Sequence, residues 1–271
     1  MLNILLTNDD GYQADGIRAM GAALTRAGHS VTMLAPSDNR SCTSHRITVR
    51  ETLVVEEHGE VDGVRVHSCS GTPADCVRVG VLGGLFARPD IVVSGINHGV
   101  NLGDDVRYSG TVSAAAEAAV LGVPAVALSQ QGDDPTIRFL AERPSRFEHL
   151  DVLSELVGWF AEAGPEASLL NVNVPSGRAQ TRVQWSLVGQ RRWREVTMSV
   201  ERSDTGAAMV QSWQSDPRAI FAAGSDFAAV ADGAVAVSLL SVLGGLVDVT
   251  DPAAGDLPQP HGDVVVHPLA R

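Results

Sequence analysis

Residues 2–11 read LNILLTNDDG, an apolar run followed by three polar residues and a glycine. The run has the length of a buried parallel strand, and the polar residues predict a turn directly after it. Asp9 and Asp10 therefore follow the first strand at its carboxyl end, the edge at which open α/β sheets bind ligands. Neighbouring carboxylates repel each other, and a divalent cation between them keeps both ionised. We therefore predict that Asp9 and Asp10 bind a metal ion.

A helix and a second strand follow this turn. Residues 30–36, SVTMLAP, predict the strand, and Asp15 is placed to cap a helix with apolar residues on one face, Ile17, Met20 and Leu24. Strand, helix and strand in this order form a βαβ unit and imply a parallel sheet. Neither a dinucleotide-binding glycine motif nor a P-loop motif is present, so those two readings lose their main support. Asp226 is a second predicted helix cap, near the end of the core.

Two more polar segments are predicted at strand ends. Residues 37–46 follow the second strand, where Ser41 or Asn39 can lend an oxygen to the metal. Residues 94–117 are rich in glycine, asparagine and small hydroxyls before an alanine-rich helix begins. The turn Ser109-Gly110-Thr111 directly precedes that helix, whose free N–H groups and positive dipole end favour an anion such as phosphate. The alternative is a plain Ser/Thr helix cap.

Composition limits the possible partners and location. The 271 residues carry a net charge of -12, which argues against binding to nucleic acid or to anionic membranes. The three cysteines have no C-x-x-C spacing, which supports neither a disulfide framework nor a zinc site and favours a reducing cytoplasm. No signal peptide and no apolar run of spanning length is visible. We predict a soluble cytoplasmic protein.

The chain changes in character after residue 178. Alternating residues predict long antiparallel strands that project from the core. Exposed tryptophans on such an arm give a reason to oligomerise, namely Trp185, Trp193 and Trp213. A neighbouring basic cluster is predicted to form a solvated or interface face: Arg191, Arg192 and Arg194.

Several ordered motifs together resemble the SurE family of survival-protein nucleotidases, which are metal-dependent phosphatases acting on nucleoside monophosphates. The resemblance covers roughly residues 1–240 and is far more specific than any one motif. The motifs are LLTNDDG (5–11), APSDNRS (35–41), SGTPADCV (70–77), SGINHGVNLGDDVRYSGTVSAAAEA (94–118), GVPAVALS (122–129), LNVNVP (170–175) and SDFAAVADGAVAVSLL (225–240).

The resemblance implies an α/β fold, a Rossmann-like three-layer sandwich with a mostly parallel sheet, a β-hairpin arm and a C-terminal extension. The core would comprise residues 1–178 and 222–248, the oligomerisation arm 179–221 and the tail 249–271. The family's subunits exchange these extensions, which implies a homodimer or homotetramer. One departure is Cys42, where the family usually has glycine; it would crowd the pocket or tune substrate choice.

The resemblance also implies site residues. The implied ligands of one Mg²⁺ or Mn²⁺ per subunit are Asp9, Asp10, Ser41 and Asn97, and the implied catalytic residues are Asp9, Asp10 and Asn97. The substrate phosphate would meet Asn101 and the turn Ser109-Gly110-Thr111, and the floor would be shaped by Asn8 and Gly11.

These residue types suit phosphoester hydrolysis. An all-oxygen ligand set selects Mg²⁺ or Mn²⁺ over Zn²⁺, and two carboxylates leave the site near neutral, so a phosphate dianion is not repelled. A water activated by the metal would then attack the phosphorus of a nucleoside 5′- or 3′-monophosphate, while hydroxyl and amide donors hold the phosphate oxygens. Asp9 or Asp10 would orient or deprotonate that water.

Two other functions stay open at this point. A haloacid-dehalogenase-type phosphatase forms a covalent aspartyl-phosphate, but places its second acid two residues after the first, whereas here the acids are adjacent. A non-catalytic nucleotide- or phosphate-binding module would keep the fold without turnover. His98 and His45 are weighed as acids for the leaving group, with contacts behind the site as the alternative. Cys42 as a nucleophile lacks a base placed by any motif.

Overall fold

The computed structural model describes residues 1–139, 143–177, 182–203, 206, 208–211, 216–243, 247–248 and 266–267. Of residues 208–211, 247–248 and 266–267 only the backbone is described. Trp213 and almost all of the predicted tail 249–271 lie outside the described residues. No helix in the described part of the chain is long and apolar enough to span a membrane.

The strands and helices follow one another mostly in alternation through the first two thirds of the chain. The strands are β1 Asn3–Thr7, β2 Ser30–Pro36, β3 Val55–Val61, β4 Val64–Cys69, β5 Ile91–His98, β6 Ala125–Gln130, β7 Ser168–Val174, β8 Val183–Trp185, β9 Gln190–Arg191, β10 Ser199–Arg202, β11 Ala208–Gln211, β12 Ala219–Ile220, β13 Val235–Ser241, β14 Val247–Asp248 and β15 Val266–His267. The α-helices are α1 Asp15–Arg26, α2 Pro73–Leu82, α3 Gly110–Val120, α4 Leu150–Ala163 and α5 Asp226–Ala231, and two 3-10 helices span Gly103–Arg107 and Trp193–Glu195.

One large sheet runs through the molecule in the order β15-β8-β13-β7-β6-β5-β1-β2-β4-β3, and β14 pairs with β13. The central strands β4, β2, β1, β5, β6 and β7 are mutually parallel, whereas β3 and β13 run antiparallel to their neighbours β4 and β7. The prediction of a mostly parallel α/β sheet is therefore confirmed. Because β1 lies between β2 and β5, the segments that follow these three strands meet at one edge of the sheet.

Helices cover both faces of the sheet and give three layers. The side chains of β1 alternate: Ile4 and Leu6 pack with α1 and α4 in one core, and Leu5 packs with α2 and α3 in the other. All three are at most 3 % exposed. Burial of such a side chain contributes roughly 1.5–3 kcal/mol, so the strand that carries the acidic turn is held from both faces.

Two predicted helix caps are wrong. Asp15 is the first residue of α1, and the cap position is Ala14, which makes no side-chain cap bond. Ser225 caps α5 through a hydrogen bond to the Ala228 N–H, whereas Asp226 lies inside the helix and is buried. Its carboxylate accepts hydrogen bonds from the backbone N–H groups of distant loops, which compete successfully with a local cap.

A hairpin arm leaves the core after β8. In it β9 pairs antiparallel with β12, and β10 pairs antiparallel with β11. Strand β8, within the range 179–221 predicted for the arm, pairs with β13 in the main sheet. Accordingly Trp185 is 6 % exposed and packs in the core, so its predicted exposure is wrong.

The predicted solvated face of arginines is also wrong for Arg191. Its guanidinium is buried and forms a two-pronged ion pair with Asp105, with Nε–Oδ1 and Nη2–Oδ2 distances of 2.7 Å each. Arg192 and Arg194 are exposed. The pairing partner lies far away in the sequence, which no local pattern reveals.

Candidate active site

The acidic turn after β1 is closed by Asn8 and Gly11. The Asn8 side chain is fully buried, donates to the Gly11 carbonyl at 3.0 Å and accepts from the Gly11 N–H at 3.2 Å. Gly11 has φ +100°, which L side chains rarely adopt, so the turn needs glycine there. Asn8 and Gly11 thus fix the shape of the turn that presents the two acids.

Asp9 is 4 % exposed and lies against the first turn of α3. The Thr111 hydroxyl donates a short hydrogen bond to Asp9 Oδ1. A Cβ atom on Gly110 would lie 2.7 Å from the Asp9 Cβ atom, so only glycine lets the helix come this close. Burial, together with the neighbouring Asp10, raises the pKa of Asp9 to about 6, and the hydrogen bonds from Thr111 and Gly110 oppose this rise.

Asp10 is held by the end of β5. Its Oδ2 atom accepts from the His98 N–H at 3.1 Å, and its Oδ1 atom lies 3.5 Å from His98 Nδ1 and from Asn39 Nδ2. Burial raises the pKa of Asp10, opposed by the His98 N–H and by the charge of Arg143. Burial also lowers the pKa of His98, which favours the neutral ring. His98 therefore contacts Asp10 and also lines the pocket.

Asn97 and Ser41 bring two more oxygens to the same place. The Asn97 amide nitrogen donates to the Gly99 carbonyl at 2.8 Å, so its amide oxygen is the atom that suits a cation. The Arg40 N–H donates to the Asp9 carbonyl at 2.7 Å, which ties the loop of Ser41 to the acidic turn. The Ser41 N–H in turn donates to Asn39 Oδ1 at 2.9 Å.

These residues surround a pocket that opens to solvent and has a cavity volume of about 150 Å³. Five predicted site residues are in its wall: Asp9, Ser41, Asn97, Asn101 and Ser109. The other five act from behind the wall: Asn8, Asp10, Gly11, Gly110 and Thr111. The structure thus brings the predicted residues together at one site.

Asn101 and Ser109 form the side of the pocket next to α3. The Asn101 amide donates to Ser129 Oγ at 2.8 Å, which fixes the orientation of the side chain. Ser109 Oγ accepts from the Val112 N–H at 3.0 Å, so Ser109 is the helix cap that the alternative reading proposed. An N-cap oxygen accepts one bond and keeps its own hydrogen to donate, so this role is compatible with anion binding.

Sequence reasoning missed the group that holds the loop of Ser41. Glu117 on α3 is 5 % exposed and binds His45 Nε2 at 2.7 Å and Arg78 Nη1 at 2.6 Å. The hydrogen bond from His45 is the main reason why the pKa of Glu117 is lowered. An acid in the middle of an otherwise apolar, alanine-rich helix was the available signal, because a buried charge needs partners.

Two aromatic residues of the pocket wall also went unrecognised. Tyr108 and Phe139 line the pocket beside Asp105, the partner of Arg191. Cys42 lines it too, with φ +59°, which explains why glycine suits this position.

The donor chemistry fits a divalent cation. Among the described residues no cluster of three or more His, Cys, Asp or Glu side chains is present. Instead two buried carboxylates with raised pKa values lie beside an amide oxygen and a hydroxyl. A hard cation such as Mg²⁺ or Mn²⁺ would stabilise both carboxylates in the ionised form.

The fold and the site define a class: Rossmann-like α/β proteins with an oxygen-lined pocket at the carboxyl ends of the parallel strands. The chain belongs to the survival protein SurE family, whose model matches residues 4–195. The resemblance inferred from the motifs is confirmed.

Individual relatives agree with this membership. The chain is 41 % identical over 198 residues to a protein named 5′-nucleotidase SurE of Synechococcus sp. (strain RCC307), covering 71 % of this chain and 69 % of the relative. It is 38 % identical over 261 residues to the 5′-nucleotidase SurE of Rubrobacter xylanophilus, covering 93 % and 94 %. The crystal structure of SurE protein from Aquifex aeolicus superposes with a TM-score of 0.71 at 33 % identity, covering 88 % of this chain and 93 % of that one.

Proposed function

We propose that this protein hydrolyses nucleoside 5′- and 3′-monophosphates to nucleoside and phosphate, and that it needs one Mg²⁺ or Mn²⁺ ion per subunit. Family membership makes it an enzyme of the 5′-nucleotidase type, a phosphoric monoester hydrolase. The metal requirement, the 3′ activity and the residue roles are our proposal.

One observation carries the proposal: two neighbouring buried carboxylates lie beside the N-terminus of a helix at one pocket. Asp9 contacts Thr111 and Gly110 at the start of α3, and burial raises the pKa values of both Asp9 and Asp10. Free N–H groups at the helix start attract a phosphate, whereas the acid pair attracts a cation. A phosphomonoester together with a divalent ion satisfies both requirements.

The cation would be held by four residues: Asp9, Asp10, Ser41 and Asn97. When bound, it would neutralise phosphate charge and lower the pKa of a water molecule. The chain's own groups do the remaining work. Ser109 and the backbone N–H of Thr111 at the start of α3 would bind phosphate oxygens, whereas the Thr111 hydroxyl is already donated to Asp9. Asn101 would add a donor, and Asp9 would orient the attacking water or take its proton.

We further propose that the arm at 179–221 and the tail at 249–271 join subunits into a homodimer or homotetramer, and that the enzyme works in the cytoplasm. The antiparallel pairs of the arm support the first proposal, since such a ribbon offers surface to a neighbour. Light scattering of the full chain tests the first proposal, and a particle mass equal to that of one chain would contradict it.

The main experiment measures phosphate release from AMP and from 3′-AMP with Mg²⁺, with Mn²⁺ and with EDTA. Turnover is expected only with metal, and Asp9→Asn is expected to lower kcat/KM by at least 10²-fold. Asp151→Asn is the matched control, because Asp151 is an exposed acid in the first turn of α4. Calorimetric Mn²⁺ titration gives a second readout, in which Asp9→Asn loses affinity and the control does not.

The rival functions are separable outcomes of the same experiment. Binding of AMP with Mn²⁺ but without phosphate release by the unaltered protein would establish a non-catalytic module. A trapped phospho-aspartate would establish the covalent route. Unchanged turnover and unchanged Mn²⁺ affinity in Asp9→Asn would refute the proposed site.

A further inference from the structure

We propose that an aromatic wall, formed by Tyr108, Phe139 and Trp193, receives the nucleobase of the substrate by stacking. The inference rests on the proposed nucleotidase function and deepens it. Tyr108 and Phe139 line the same pocket as Asp9 and Ser109. Trp193, from the 3-10 helix at the base of the arm, packs against both rings.

The three rings contact one another in pairs, and the two pairs that include Phe139 are edge to face. The centroids of Tyr108 and Phe139 are 5.8 Å apart at 89°, those of Tyr108 and Trp193 5.4 Å apart at 60°, and those of Phe139 and Trp193 5.1 Å apart at 81°. Such edge-to-face geometry is favourable for aromatic pairs and fixes ring orientations. The wall is therefore shaped before any ligand arrives.

A buried ion pair supports the wall from behind. The Arg191 guanidinium lies 5.8 Å from the Phe139 ring centroid and is held by Asp105. The Asp105 carbonyl accepts from the Tyr108 N–H at 3.0 Å, so the same acid anchors the backbone that carries the tyrosine. Restrained rings lose little freedom when a ligand stacks on them, which favours binding.

Tyr108 links the aromatic wall to the proposed phosphate site. Tyr108 directly precedes Ser109, the cap of α3 at which the phosphate would bind. Tyr108 is 44 % exposed although it contacts two other rings, so part of its surface faces solvent at the pocket. A ring that only packed the arm onto the core would not need to be open on this side.

The chemistry of the wall selects a class of substrate. Every nucleobase has a flat π face, and stacking on an aromatic side chain contributes roughly 1–3 kcal/mol per base without strong preference among bases. The wall would therefore favour nucleotides over phosphomonoesters that lack a base, while discriminating weakly between purine and pyrimidine nucleotides.

The test compares AMP with ribose 5-phosphate, which keeps the sugar and phosphate and lacks the base, using the Mn²⁺-loaded enzyme. Tyr108→Leu and Phe139→Leu are expected to lower kcat/KM for AMP roughly 5- to 100-fold, mainly through a higher KM, and to change ribose 5-phosphate less than twofold. Where ribose 5-phosphate is not turned over, its inhibition constant against AMP replaces KM. Tyr108→Phe keeps the ring and should restore the AMP value.

Phe221→Leu is the matched control, because Phe221 is 57 % exposed and is not in the pocket wall. Circular dichroism establishes that each variant is folded, and quenching of tryptophan fluorescence by AMP but not by ribose 5-phosphate provides a readout on the unaltered protein. Equal losses for both substrates, or no loss for AMP, would overturn the inference. If the unaltered enzyme releases phosphate from neither substrate, the proposed function is overturned instead.

Discussion

Replacing Gly110 with alanine tests the contact between α3 and the acidic turn. The added Cβ atom would lie 2.7 Å from Asp9 Cβ, 2.8 Å from Oδ2 and 3.1 Å from Cγ. Carbon atoms pack at roughly 3.5–4.0 Å, so at least one atom pair would be closer than its packing distance by about 0.8 Å. Either the helix or the aspartate must move.

The magnitude follows from two opposing effects. Alanine in a helix gains roughly 0.5–1 kcal/mol over glycine, whereas overpacking in a tight site costs roughly 1–3 kcal/mol. We expect Gly110→Ala to lower the free energy of unfolding by about 1–2 kcal/mol. If the clash is relieved by a shift of Asp9 instead, the cost appears in catalysis, where a 1 Å misplacement lowers the rate roughly 10²-fold.

Gly158→Ala provides the matched control. Gly158 lies inside α4, and a Cβ atom there would meet nothing within 4 Å. This variant should gain roughly 0.5–1 kcal/mol and keep its activity. Urea unfolding, Mn²⁺ titration and kcat/KM for AMP measure both variants. If Gly110→Ala keeps its stability, its Mn²⁺ affinity and its activity, the close approach of α3 to Asp9 does not constrain the site.

Three other outcomes are expected. Glu117→Gln should lower the free energy of unfolding at pH 7 by about 1–2 kcal/mol. Because folding lowers the pKa of Glu117, this difference in stability is present above pH 4.5 and shrinks as the pH falls below that value. A difference in unfolding free energy that stays constant with pH would contradict this account. Alkylation of Cys42 by iodoacetamide should block AMP turnover, because Cys42 lines the pocket and the other two cysteines are buried. The Cys42→Gly variant should keep its turnover in the presence of the reagent. Inhibition that persists in this variant would locate the sensitive group elsewhere. Arg191→Met should lower the free energy of unfolding, measured in urea, by about 3–5 kcal/mol, because Asp105 would stay buried without its partner. The double variant Arg191→Met with Asp105→Leu should recover much of this lost stability. If it recovers none, the broken ion pair is not the cause of the loss.

The acidic turn and its location were predictable because both depend on local information. An apolar run, a polar turn and a βαβ pattern suffice to place Asp9 and Asp10 at the carboxyl edge of a parallel sheet. The capping box at Thr72, in which the side chain of Asp75 bonds back to the cap, likewise depends on only a few adjacent residues.

Long-range contacts were not predictable in this way. The burial of Arg191 depends on Asp105, and the role of Glu117 depends on His45, a residue in a loop with no regular structure. Asp226 looked like a cap because it begins a helix, yet its carboxylate is used by the Gly103 and Gly189 N–H groups. In each case a partner far away in sequence competes with the local role, and a periodic pattern carries no information about that partner.

One helix, α3, contacts two parts of the proposed site. Its first turn contacts Asp9, and further along Glu117 holds the loop that presents Ser41. A movement of this helix along its own axis would disturb the proposed cation site and the proposed phosphate site at the same time. Engineering aimed at one of these two affinities would therefore have to leave the position of α3 unchanged.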